Sequence, residues 1–77
     1  MSRLFTDDSL MTWEAFASGG PFGLPDSPMI VFNCLSEPGL RGRFVQHEGD
    51  ETDAQRIVRE LSEDELNRLL ESARELE

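Results

Sequence analysis

Residues 28–36 read PMIVFNCLS. The run is apolar but for Asn33 and Ser36, rich in β-branched and aromatic side chains, and bounded by proline on both sides. That is the pattern of a strand covered on both faces or standing in the middle of a sheet. Upstream, residues 10–18 (LMTWEAFAS) alternate. Met11, Trp13, Ala15 and Ala17 fall on one face, and Thr12, Glu14, Phe16 and Ser18 on the other. Period two around an aromatic centre predicts a half-buried strand, with a short helix as the competing reading because Ala and Glu form helices well. Downstream, Pro38-Gly39 predicts a type II turn, with proline presetting φ and glycine supplying the positive φ that follows. Residues 41–47 (RGRFVQH) then read as a further strand. Phe44 faces one way, Arg43 and Val45 the other, and the two arginines suggest a sheet edge.

The pattern changes after an acidic turn, EGDETD at residues 48–53. Thr52 to Gln55 fits a capping box, and Ala54, Ile57, Val58 and Leu61 follow at helical spacing. LSEDEL at residues 61–66 is a sharper signal. Ser62 serves as N-cap and Glu65 as its reciprocal partner. Leu61 and Leu66 take the hydrophobic-staple positions, and Glu63, Asp64 and Glu65 lie in the first turn, where the helix dipole favours anions. Leu66, Leu69, Leu70, Ala73 and Leu76 form the next apolar stripe. The two stripes are out of phase across Ser62, which predicts two helices rather than one. Residues 1–9 show no periodicity and read as a frayed terminus, with Leu4 and Phe5 the residues that could dock on the core.

These elements predict one small α+β domain spanning residues 1–77. A three-stranded antiparallel sheet is followed by a C-terminal helix pair packed on one face, in the order β-β-β-α-α. The expected core joins Trp13, Val31, Phe32 and Phe44 of the sheet to Ile57, Val58, Leu66, Leu69 and Leu70 of the helices.

The charge balance is lopsided: 16 acidic residues face seven basic ones, giving a formal net charge of −9. Every basic residue is Arg. A negative field repels phosphate backbones, so nucleic acid is disfavoured as a partner and cationic partners are favoured. An acidic nucleic-acid mimic would need a one-sided carboxylate array, and the mixed signs along the helices argue against that. A single cysteine, Cys34, permits no intrachain disulfide. With no apolar run long enough for a membrane helix, the expectation is a soluble cytoplasmic protein.

The candidate chemistry is sparse. SGGPFGLPDSP at residues 18–28 carries three of the six glycines and three of the four prolines. It lacks phosphate-loop order and runs into a strand instead of a helix. Cys34 and His47 are the only Cys and His. Cys34 lies in the most apolar run, where a thiol is ordinarily inert. One Cys and one His do not make a zinc site unaided, and EGDETD lacks EF-hand spacing, so no metal and no cofactor is expected.

The reading that follows is a small acidic, non-catalytic protein-interaction or regulatory module, a monomer or weak homodimer able to associate through an exposed sheet edge. Its partner-binding candidates are Phe22 and Leu24 in the loop and the acids Glu48, Asp50, Glu51 and Asp53. The alternative is a small-ligand or anion-binding domain using the amides of Gly19, Gly20 and Gly23 with Arg41 and Arg43. That alternative requires loop and arginines at one end of the sheet, whereas a simple meander places them at opposite ends.

Overall fold

A computed structural model describes residues 2–18, 28–37, 39–47 and 49–75. The fold is α+β, as the sequence predicts, with the elements in the order β1 (Ser2–Thr6), β2 (Thr12–Ser18), β3 (Met29–Cys34), β4 (Arg43–Gln46), α1 (Glu51–Glu60), α2 (Glu63–Ser72) and β5 (Arg74–Glu75). The strands form one antiparallel sheet of five in sequence order. β1 to β4 are a meander, and the helix pair returns the chain so that β5 lies beside β4. No helix among the described residues is long and apolar enough to cross a membrane.

Register assigns the faces. Phe5, Trp13 and Cys34 stand in one cross-strand row, Ala15 and Phe32 in the next, and Ala17, Ile30 and Val45 in the third. These side chains lie on the helix side, where Ala54, Val58, Leu66 and Leu70 complete the core. Ala15, Phe32, Ala54 and Leu66 are fully buried. Small alanines on both layers let the helices approach the sheet closely and leave Phe32 to fill the space between. Phe5 meets Phe32 edge-to-face, with ring centroids 6.0 Å apart at 83°, a favourable aromatic geometry.

Several expectations are corrected. Val31 and Phe44 do not meet the helices. They pair with each other and fall, with Phe16, on the opposite face, because strand side chains alternate and both residues are one step out of phase with Phe32 and Val45. Two strands join the expected three. Ser2–Thr6 is an ordered strand, not a frayed end, and buries Phe5. The helix stripe stops at Ser72, where Ala73 turns extended and Arg74–Glu75 becomes β5. β4 is therefore an inner strand, not an edge. Gly39 has no positive φ, so the turn closed by Leu40 N–H on Glu37 O at 3.0 Å is not the expected type II.

The helix starts are local. α1 is capped by Asp50, whose side chain accepts from Asp53 N–H at 2.8 Å. The cap thus lies two residues before the predicted Thr52. Gly49, at φ +135°, makes the sharp entry that a side chain would strain, and Asp is the stronger N-cap. α2 has the predicted capping box: Ser62 Oγ accepts from Glu65 N–H at 3.2 Å, and Glu65 Oε1 accepts from Ser62 N–H at 3.2 Å. Ser62→Ala is expected to lower stability by about 1 kcal/mol in denaturant melts. No change in the melt would mean that tertiary packing alone positions α2.

Arg3 ties the far ends of the chain together. Its guanidinium donates to the carbonyls of Arg59 at 3.1 Å and Val58 at 3.5 Å, and also to that of Leu61. These are the orphan acceptors at the C-terminus of α1, where a cation also complements the helix dipole.

Candidate functional site

The β1–β2 turn is built on one carboxylate. Leu10 N–H donates to Asp7 O at 3.0 Å, and Asp7 N–H donates to Met11 O at 2.9 Å. Leu10 sits at φ 63°. This is the three-residue hairpin loop in which a left-handed residue follows a tight turn, a position usually given to Gly. Asp7 Oδ1 accepts from Ser9 N–H at 2.8 Å and Met11 N–H at 2.9 Å, while Oδ2 accepts from the buried Trp13 indole N–H at 2.7 Å.

Beside this turn lies a cleft of about 290 Å³, lined among others by Asp7, Met11, Trp13, Arg43, Asn67 and Glu71. The Arg43 guanidinium lies 5.7 Å from the Trp13 ring centre and donates to Leu70 O at 3.4 Å. Desolvation pushes the Asp7 carboxyl up. The hydrogen bonds from Met11, Trp13 and Ser9, with the charge of Arg43, outweigh it and hold Asp7 below its ordinary value. A carboxylate so held is a poor proton acceptor. Asp7, Trp13 and Arg43 are thus already engaged with one another or with Leu70, which suits a structural clasp between hairpin, β4 and α2.

Those residues singled out by sequence that the structure describes are dispersed. Arg41 is exposed, and Arg43 is committed to the cleft. Gly19, Gly20, Gly23, Phe22, Leu24 and Glu48 lie outside the described residues. Ser18 and Pro28, which flank the glycine loop, lie beside Met29 and His47, at the opposite end of β4 from Arg41. Asp50 and Asp53 serve the start of α1: Asp50 caps it, and Asp53 pairs with Arg56 at 3.2 Å. Glu51 opens the helix. Cys34 is buried, 3.8 Å from Met11 Sδ. His47 adjoins Pro28, six residues from Cys34 along β3, or roughly 20 Å. Its Nε2 is buried with no hydrogen-bond partner among the described residues and packs against Gly49, where an added Cβ would stand 3.0 Å away. No group of three or more metal-ligating side chains occurs among the described residues.

One surface escaped the sequence reading: the outer edge of β1. The Asp7–Met11 hydrogen bond fixes which peptide groups turn inward. By the alternation of an antiparallel ladder, Arg3 and Phe5 bond to β2, and Ser2, Leu4 and Thr6 turn their N–H and C=O outward. Thr6 O is met by Asn67 Nδ2–H at 3.2 Å. Among the described residues nothing meets the outward groups of Leu4. Its side chain, 58 % exposed, lies on the helix-free face with Phe16, Val31 and Phe44. The signal available in sequence was the lack of Pro, Lys or acid in SRLFT, informative only once those residues are known to form an edge.

No protein-family model, curated protein or solved structure matches this chain.

Proposed function

We propose that the protein is a non-catalytic interaction module that works through the free edge of β1, taking a partner strand into its sheet. One observation carries this reading: the contrast between the two sheet edges. β5 is two residues long, both of them charged and exposed, which is how natural sheets blunt an edge. β1 is five residues long and has no proline. Its one charge, Arg3, is occupied by the carbonyls that end α1. An edge of this kind offers main-chain hydrogen bonds for affinity and an apolar neighbour, Leu4, for specificity. The scattered positions of Cys34, His47, Arg41 and Arg43 support a role without catalysis.

Leu4→Pro tests the reading. Its N–H points away from β2, so proline removes an outward donor and leaves the internal ladder whole. Proteins retained from host extract by the immobilised wild-type chain are expected to be lost on Leu4→Pro and kept on the helix-surface control Arg59→Ala. Equal retention by Leu4→Pro would place binding elsewhere.

A further inference from the structure

We propose that the strand received at the β1 edge belongs to a second copy of this chain, the two β1 strands pairing antiparallel about a two-fold axis at Leu4. This rests on the edge reading above and names its partner.

The outward row is self-complementary. A two-fold axis at Leu4 sets Ser2 opposite Thr6 of the other copy and Leu4 opposite its own counterpart. All three residues have outward peptide groups in both copies, so the ladder continues across the axis without a register shift. Among the described residues only Thr6 O is already engaged, by Asn67, and a carbonyl has a second lone pair for the incoming N–H. The two Leu4 side chains meet on the helix-free face, each shielding an apolar group that is 58 % exposed in the single chain. The result is one sheet of ten strands ending at both sides in the short, charged β5.

Charge also favours β1 as the meeting place. Two copies of a chain with net charge −9 repel, and association is easiest where acids are fewest. SRLFT carries one cation and no acid. The start of α2 flanks this edge, since Arg3 reaches Leu61 O and Asn67 reaches Thr6 O. Glu63 and Asp64 of the two copies therefore approach one another. Salt should strengthen the dimer by screening them, the reverse of an attraction between opposite charges.

The test is sedimentation equilibrium on the wild type, Leu4→Lys, Leu4→Glu and an equimolar mixture of the two variants, in low and in about 1 M salt. The wild type is expected to dimerise with concentration, more tightly in high salt. Each variant alone should associate at least about tenfold more weakly, because like charges face each other across the axis. Mixing should restore the dimer. A wild type monomeric at near-millimolar concentration in high salt overturns the proposal, as does a dimer indifferent to both variants, or a mixture no tighter than its components. Circular dichroism on each variant confirms folding, and deuterium exchange at the Leu4 and Thr6 amides gives an independent readout, with slower exchange expected as wild-type concentration rises. If the wild type stays monomeric while capture remains sensitive to Leu4→Pro, the edge reading stands and only the second copy fails.

Discussion

Phe32→Ala is expected to remove a large part of the protein's stability, about 3–5 kcal/mol. Phe32 is fully buried on the inner strand β3. Its cross-strand neighbours on the helix side are Ala15 and Arg43. Ala15 and Ala54 contribute only methyl groups and fill little of the space left behind, and Phe5, which packs edge-to-face on Phe32, would have to leave its own buried place to fill it. Truncating a buried phenylalanine costs about 3–5 kcal/mol, with the upper values where the cavity does not close. A chain of 77 residues has a total stability of about 4–12 kcal/mol at typical values per residue. The loss is therefore a large part of the whole. Phe32→Leu, which keeps most of the volume, should cost about 1.5 kcal/mol or less. Urea titrations of the three proteins decide the matter. A loss below about 1.5 kcal/mol for the alanine variant would show that helices and sheet can close over the gap.

Asp7→Ala is expected to cost about 2–4 kcal/mol, although the residue lies in a turn. The substitution removes the acceptor for Ser9 and Met11 N–H, which holds Leu10 in its left-handed conformation. It also leaves the indole N–H of Trp13, 3 % exposed, without its partner. Leaving a buried donor unpaired accounts for about 1–3 kcal/mol of the total. The same carboxylate gives the protein an acid limb. Desolvation raises its pKa, but the Met11, Trp13 and Ser9 hydrogen bonds with the Arg43 charge bring it below 3.8. A carboxyl whose folded pKa lies below the unfolded one stabilises the fold fully above the unfolded value. That contribution is lost as the pH falls through the folded value. Wild-type stability should thus decline below about pH 4, and Asp7→Asn should be less stable at neutral pH with a flatter acid limb. Parallel acid limbs in the two proteins would show that other carboxylates govern acid unfolding.

The helix pair was legible because its determinants are local. The Ser62–Glu65 capping box spans one turn, and the phase break across Ser62 is visible in the spacing of leucines alone. β3 was legible because an inner strand is apolar on both faces, whatever covers it. β1 was not, because its hairpin puts Leu10 where glycine would have signalled the turn, and the three hydrogen bonds to Asp7 meet part of the cost. β5 was not, because two residues carry no periodicity.

The candidate site was hardly legible at all. Arg41 and Arg43 suggested that β4 was an edge, yet β5, arriving from beyond two helices, covers it. The true edge, β1, lay in a stretch whose composition gave no hint of a strand. An edge is a property of what does not pair with a strand, and no short stretch of sequence records that.

By itself, then, the sequence determined the α+β class, the boundary between α1 and α2, and which residues alternate on each strand, since all three depend on spacing within a few residues. The tertiary structure alone decided which sheet face the helices cover, so that Phe32 and Val45 face the helices while Val31, itself buried, and Phe44 face the other way. It alone decided that Arg3 closes α1 and that Leu4 stands on an edge that no described strand covers. Those outcomes depend on contacts between residues distant in sequence, more than fifty positions in the case of Arg3, where burial and main-chain pairing, not local preference, select the arrangement.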